Sequence, residues 1–119
     1  MSVHTRSQKL AQAAFARVAL HDTSDKDYVS FAKKFPALIH TCGLGQAVAF
    51  ALAKNHTDYV EDLAAVLNAG GHPDVSSSES LHRQAREETL TGYLRLSRDA
   101  IHAASWLKRY VEAVAEEGE

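Results

Sequence analysis

A chain of 119 residues, 45% of them apolar, has the usual size of one domain and can bury a single hydrophobic core. The longest apolar run, residues 47–53, is far shorter than the ~20 residues of a membrane-spanning helix, and no secretory signal is expected at the N-terminus. The net charge of −2 excludes a protein that coats nucleic acid through bulk positive charge, and the single cysteine, Cys42, excludes an intramolecular disulfide. We therefore expect a cytoplasmic protein.

Helix-forming residues dominate the chain: alanine is the most frequent residue, and runs of β-branched residues alternating with polar ones are absent. We predict an all-α protein, a single compact helical bundle of about six helices that forms one domain over residues 1–119. The first helix is predicted over Val3–Leu20, with an apolar face and a basic edge beside it. The apolar face comprises Leu10, Ala11, Ala14, Phe15 and Val18, and the basic edge comprises Arg6, Lys9 and Arg17.

The second helix is predicted to begin at a capping sequence, in which Ser24 accepts hydrogen bonds from first-turn amides and Asp27 lies where the helix dipole favours an acid. Its buried stripe is formed by Tyr28, Phe31, Ala32 and Phe35. Proline disfavours helical geometry in the residue before it but is accepted in a first helical turn. We therefore expect a break at Pro36 and a short new helix that ends at Gly43.

The segment Leu44–Leu52 is apolar apart from Gly45 and Gln46, so it is predicted to be the central helix of the bundle. The next helix is predicted to begin near Thr57 or Asp58 and to end at the Gly70-Gly71 pair. Residues 72–80 are polar and form a predicted loop. A helix capped by Ser76 and Glu79 is then expected through Leu90, with a kink or division at Gly92 or Ser97 before a last helix over about Arg98–Glu116.

The last helix is strongly amphipathic. Arg98, His102 and Arg109 project opposite its apolar arc, and Trp106 and Tyr110 lie beside them, one turn apart. Such a face is either a solvated surface or a phosphate-binding surface, with the aromatic rings contacting bases or a protein neighbour. Further basic residues could extend this surface, namely Arg6, Lys9, Arg17, Lys54 and Lys108.

No convincing catalytic or metal site is found in the sequence. The histidines are scattered, and Glu79-x-x-His82 is a single copy of a ligand pair that di-iron bundles need twice. Arg95 and His102 resemble the Arg-x4-6-His motif of HEPN-type helical ribonucleases, which leaves a nuclease as an alternative. Cys42 lies in an apolar segment and is predicted to be a small buried thiol. We therefore predict no enzymatic activity, no cofactor and no metal.

Two strings resemble a known family when they occur together. They are FPALIHTCGLGQAVAFALAK at residues 35–54 and LSRDAIHAASWLKRYVEA at residues 96–113. Together they are similar to the small-subunit family of the type III-B CRISPR effector, the Cmr complex, in order, position and overall length. The small subunit of the related type III-A complex has a broadly similar helical fold, and the two strings favour III-B.

The resemblance implies a non-catalytic helical subunit in antiviral defence that stacks in a filament with copies of itself. Its partners would be the other Cmr subunits, the guide RNA and the target RNA, with no membrane and no small-molecule substrate. The matching positions imply phosphate contacts at Arg17, Lys54, Lys108 and Arg109, and a supporting or subunit-junction role for Trp106. Arg98 is added because of its place on the helical stripe. An RNA-independent helical adaptor remains a second alternative.

Overall fold

The computed structural model describes residues 5–21 and 25–117, with side chains as far as Val114. These residues form six helices and no strand, which confirms the predicted all-α class. The helices are α1 Arg6–Val18, α2 Lys26–Cys42, α3 Leu44–Ala53, α4 Thr57–Ala69, α5 Ser78–Glu87 and α6 Leu90–Glu117. The molecule is 21 Å across its thinnest dimension. That thickness corresponds to two layers of helices, each about 10–12 Å in diameter.

Helix α1 begins at a capping box in which the Thr5 side chain accepts from the Gln8 backbone N–H and the Gln8 side chain accepts from the Thr5 backbone N–H. The predicted start at Val3 lies outside the described residues. Leu10, Ala14 and Val18 are buried as predicted. Phe15 was predicted to belong to this buried face, but its side chain is 60% exposed. It lies at the edge of the apolar stripe, where its ring contacts that of Tyr110 on the surface of α6.

Helix α2 continues through Pro36, so the predicted break there is wrong. A proline inside a helix removes one backbone hydrogen bond and costs roughly 3 kcal/mol. The buried side chains of Phe31, Phe35 and Ile39, which lie on both sides of the proline, hold the helix together. Asp25 caps it by accepting from the Tyr28 backbone N–H at 3.2 Å, whereas the predicted cap Ser24 lies outside the described residues. Gly43, at φ +84°, ends α2 and leads directly into α3.

The most buried helix is α4, and not α3 as predicted. Helix α3 buries one face but leaves Gln46, Ala49 and Phe50 outside the core. Helix α4 packs against all five other helices, so that both flanks of its apolar stripe are covered. Its buried residues are Tyr59, Val60, Asp62, Leu63, Ala64, Val66 and Leu67. The predicted stop at Gly70-Gly71 is confirmed, with Gly71 at φ +109°.

Helices α5 and α6 are divided at Glu88–Thr89, and α6 then runs unbroken for 28 residues. The predicted division at Gly92 or Ser97 and the separate helix from Arg98 are therefore wrong, and a kink at either residue stays a prediction. A glycine or serine in a helix costs at most about 1 kcal/mol, which the packing of α6 against α1 and α2 outweighs. The start of α5 is capped by Ser77 with Ser80, one residue later than predicted.

The core lies between α6 and the helices α1, α2 and α4, and it is filled mainly by alanine, leucine and valine side chains. Phe31, Phe35, Tyr28 and Tyr59 form one aromatic cluster with ring centroids 4.9–5.9 Å apart in the contacting pairs. In the part of the chain described here, none of the helices combines the length and the apolar character needed to cross a membrane.

Candidate nucleic-acid interface

Helix α6 presents a row of basic side chains on the face opposite its core side. Arg98, His102 and Arg109 are all exposed and are here called the α6 basic row. Arg98 and Arg109 are eleven residues apart, about three helical turns, so they project from the same side of the helix. The core side buries Leu96, Ala100, Ala103, Ala104, Leu107 and Val111, which confirms the amphipathic pattern predicted from the sequence.

Lys108 flanks this row rather than belonging to it. It precedes Arg109 by one residue and therefore lies about 100° around the helix. Its side chain is half-buried, whereas that of Arg109 is exposed. A lysine can nevertheless bring its ammonium group to the surface while its methylene stem packs against apolar neighbours.

Arg98 lies beside a buried carboxylate, that of Asp99. The side chain of Asp99 is 3% exposed, and its Oδ2 accepts a hydrogen bond from His72 Nε2 at 2.7 Å. Arg6 Nη1 lies 3.5 Å from the same oxygen, and Arg98 Nε lies 3.7 Å from Oδ1. The carboxylate thus faces groups from α1, from the α4–α5 loop and from α6.

Arg17 is held by a second buried carboxylate, that of Asp62 on α4. Arg17 Nε donates to Asp62 Oδ1 at 2.7 Å, and His21 Nε2 donates to Oδ2 at 2.5 Å. The Tyr28 hydroxyl, whose ring is stacked against that of His21, also donates to Oδ2. Burial raises the pKa of Tyr28 far above its ordinary value, and the hydrogen bond to Asp62 raises it further. The Arg17 side chain remains 36% exposed, so part of its guanidinium faces the surface.

Lys54 lies in a separate cleft between α2 and the α3–α4 turn. The cleft measures about 670 Å³, and its lining includes Lys34 and the half-exposed Phe50. The Lys54 ammonium is 6.0 Å from the centre of the Phe50 ring. Three carboxylates, those of Asp25, Asp27 and Asp58, also line the cleft, so its charge is mixed.

Trp106 belongs to an aromatic patch on the α1–α6 surface, formed by Phe15, Trp106 and Tyr110. The Trp106 and Tyr110 rings are stacked at 5.7 Å, and Phe15 meets Tyr110 edge-on at 5.5 Å. Trp106 and Tyr110 are half-buried, while Phe15 is largely exposed. An exposed aromatic group next to a basic row is typical of a surface that contacts a macromolecule.

The two residues of the ribonuclease-like motif line two different depressions among the described residues. Arg95 lines a depression with residues of the α4–α5 loop, whereas His102 lines a different one beside Arg6 and Arg98. Seven residues of helix, roughly 10 Å of rise, separate the two along α6.

The other candidate chemical groups are dispersed. Glu79 is exposed, and His82 Nδ1 accepts from Arg86 at 3.2 Å. Within residues 5–21 and 25–117, no three histidine, cysteine, aspartate or glutamate side chains lie close enough together to hold a metal ion. Cys42 was predicted to be buried, but it is exposed, because it falls on the outer side of the last turn of α2.

Sequence reasoning missed the two aspartates that hold the arginines. A signal for Asp62 was present, because it lies three residues after Tyr59 and four before Val66, on the apolar face of α4. The same signal was present for Asp99, which lies three residues after Leu96 and four before Ala103, on the apolar arc of α6.

The fold and the α6 basic row define a small all-α protein with a basic helical face, and comparisons with known proteins identify its family. The family model described as "CRISPR-associated protein (Cas_Cmr5)" matches residues 6–114. The CRISPR system Cmr subunit Cmr5 of Thermus thermophilus is 38% identical over 97% of this chain and 100% of its own length. The crystal structure of a Cmr5 family protein from the same species superposes with a TM-score of 0.81 at 37% identity, covering 92% of this chain and 97% of that one.

The chain therefore belongs to the Cmr5 family. The resemblance carried by the two strings at residues 35–54 and 96–113 is confirmed. The structural match also confirms the helical class of the fold.

Proposed function

We propose that the protein is the non-catalytic small subunit of a type III-B Cmr effector complex and contacts the backbone of the guide and target RNA through a basic face. Its family membership supports the assignment to the complex, because the Thermus relative is named as a Cmr subunit. The α6 basic row is the observation that carries RNA contact. A single unbroken helix holds Arg98 and Arg109 at a fixed spacing on an exposed face, so both can donate to phosphates without local folding.

The proposed RNA contacts are of two kinds. The first kind comprises Arg98, Lys108 and Arg109 on α6, which we propose contact RNA phosphates directly. The second kind comprises Arg17 and Lys54, which lie beside carboxylates of the protein itself. Arg17 already donates one N–H to Asp62, so it has fewer donors for a phosphate but is held in a fixed orientation. Lys54 lies in the mixed-charge cleft, where three carboxylates oppose an anion. We expect Arg98 and Arg109 to contribute more than Arg17 or Lys54.

The aromatic patch is proposed to form a junction with another copy of the chain or with another Cmr subunit. Phe15, Trp106 and Tyr110 offer a rigid apolar surface with a polar rim, which suits repeated contacts along a filament. Weak contacts repeated in this way sum by avidity, so a single copy need bind RNA only feebly. The same patch would serve the alternative, an RNA-independent adaptor.

Absence of catalysis is part of the proposal. A ribonuclease of the HEPN type would need Arg95 and His102 to act on one phosphate, and they line different depressions here. We also place the protein in the cytoplasm, where an RNA-guided complex meets invading transcripts.

The first test is affinity purification of the tagged chain from its own host, with mass spectrometry and RNA sequencing of what co-purifies. Recovery of several Cmr subunits with repeat-spacer guide RNA is the expected result. A chain that purifies alone, or with proteins but no guide RNA, would contradict the proposal, and the second outcome would favour the adaptor.

The second test measures RNA affinity against salt concentration for Arg98→Ala, Lys108→Ala and Arg109→Ala. Each phosphate contact removed should lower the slope of log affinity against log salt by about 0.7 to 1. Arg83→Ala, an exposed arginine on α5, is the matched control and should leave the slope unchanged. Equal slopes for all four variants would contradict a localised basic interface.

A further inference from the structure

A notch between α1 and α6 combines Arg98 with groups that the predicted RNA contacts do not include. It has a volume of about 270 Å³ and is lined by Arg6, Ser7, Leu10, Arg98, Asp99 and His102. Pockets for drug-sized ligands measure about 300–1,000 Å³, so this notch is small for a whole cofactor and suits a compact group. Its cationic groups come from two helices that are distant in sequence.

The two guanidinium groups in the notch retain hydrogen-bond donors. They approach Asp99 at 3.5 Å from Arg6 and 3.7 Å from Arg98, beyond the usual 2.7–3.2 Å of an N–H···O bond. The close hydrogen bond to this carboxylate comes from His72, whose Nε2 lies 2.7 Å from Oδ2. The side chains of Arg6 and Arg98 are 45% and 63% exposed. Two positive charges thus face one negative charge, and an excess of positive charge remains at the surface.

Asp99 explains why two flexible arginines converge. A buried carboxylate is costly unless cationic or hydrogen-bonding groups compensate it, and Arg6 from α1 and Arg98 from α6 each lie within 4 Å of it. A guanidinium group is planar and carries several N–H donors, and this arrangement matches the oxygens of a phosphate. His102, one turn beyond Arg98, lines the same notch and can donate a further N–H. The notch therefore presents N–H donors from three side chains, beside the carboxylate of Asp99.

We infer that this notch is a dedicated binding site for one backbone phosphate of RNA, with Arg6 and Arg98 as its principal ligands and His102 as a third donor. The inference rests on the proposed function and adds Arg6 and His102 to the RNA-contacting set. A carboxylate of a protein partner would fit the same donors. RNA is favoured because Arg98 also begins the α6 basic row, which continues for three turns to Arg109, further than a single carboxylate requires.

The test compares Arg6→Ala, Arg98→Ala and the double variant in the full chain, by fluorescence anisotropy with a labelled single-stranded RNA over a series of KCl concentrations. Each single variant should weaken binding by about threefold or more and lower the salt slope by about 0.7 to 1. Arg6→Lys should restore the slope but only part of the affinity, because lysine keeps the charge and loses the planar set of donors. Arg83→Ala serves again as the control.

A residue-specific measurement then separates the site from the function. In NMR titrations with tetrauridylate and, separately, with inorganic phosphate, the Arg6 and Arg98 Nε–H and His102 ring signals should shift together. If Arg109→Ala and Lys108→Ala change the salt slope while the Arg6 variants and these signals do not respond, the notch is refuted and the proposed function stands. If no variant changes RNA binding, both are refuted. Loss of binding to another Cmr subunit in Arg6→Ala, with RNA binding intact, would overturn the RNA assignment in favour of an acidic protein partner.

Discussion

The two buried aspartates, Asp62 and Asp99, differ in how tightly their partners hold them. Asp62 accepts close hydrogen bonds from Arg17, His21 and Tyr28, which come from the end of α1 and the start of α2. Asp99 has one close partner, His72, and two half-exposed arginines at 3.5 and 3.7 Å. One carboxylate is enclosed by its donors, whereas the other leaves donors at the surface.

This difference separates a structural role from a binding role. Donors that are fully used inside the protein contribute to its stability and have little left for a ligand. Half-exposed donors that lie near a carboxylate without a close hydrogen bond to it contribute little to stability and are available to an anion. Asp62 should therefore affect mainly the free energy of unfolding, and the residues around Asp99 mainly the affinity for RNA.

The largest expected effect is that of Asp62→Ala. Removing the carboxylate leaves Arg17, His21 and the buried Tyr28 hydroxyl without their acceptor, and should lower the free energy of unfolding by about 3 kcal/mol. Urea unfolding followed by circular dichroism measures this. Asp74→Ala, at an exposed aspartate in the α4–α5 loop, is the control and should change stability by less than about 0.5 kcal/mol. A loss no greater than that of the control would remove the structural role from Asp62.

Asp99→Ala should destabilise the protein less than Asp62→Ala. We expect it to lower the free energy of unfolding by about 1.5 kcal/mol, because only the bond from His72 is close and the arginines are partly solvated. The same urea series provides the comparison. A loss equal to or greater than that of Asp62→Ala would break the distinction between the two carboxylates.

Tyr28→Phe tests the enclosed site alone and should cost about 1 kcal/mol at neutral pH. Burial raises the pKa of Tyr28 in the folded protein, so above pH ~10 the unfolded chain loses this proton while the folded one keeps it. Stability from this group is complete below pH ~10 and is lost as the pH rises beyond it. The fall in unfolding free energy between about pH 8 and pH 11 should therefore be smaller in Tyr28→Phe than in the unmodified chain. An equal fall in both would contradict the enclosure of the Tyr28 hydroxyl.

The smallest expected effect on stability is that of Arg6→Ala, below about 0.5 kcal/mol, because its pair with Asp99 is long and its side chain is 45% exposed. The same variant should nevertheless weaken RNA binding. Thermal unfolding and anisotropy on one preparation test both statements. If stability falls by much more while RNA affinity holds, Arg6 is a structural residue.

Local patterns predicted most of the helices and buried faces. The apolar spacing of Leu10, Ala14 and Val18 in α1 and of Ala100, Ala103 and Leu107 in α6 marks the residues that the structure buries. The helix ends at Gly43 and Gly70-Gly71 were also predicted, because glycine acts within one turn of the chain. The break at Pro36 and the division at Gly92 or Ser97 were wrong, because packing on both sides of each position outweighs local preference.

The candidate site divides in the same way. The α6 basic row follows from a period of 3.6 residues and was visible in the sequence, as were the two strings that indicated the family. Which of the basic residues contact RNA stays a prediction. The exposure of Phe15 and Cys42 was not predicted, because it depends on where neighbouring helices leave a side chain uncovered.

The sequence by itself determined the all-α class, the amphipathic last helix and membership of the Cmr5 family, since these depend on residue type and short-range spacing. Only the tertiary structure decided which charges are buried and what they hold. Arg6 and Asp99 are more than ninety residues apart in the chain, and Arg17 and Asp62 are 45 residues apart. Such partners meet only when α1 packs between α4 and α6, because the burial of a carboxylate depends on the surfaces of several helices at once.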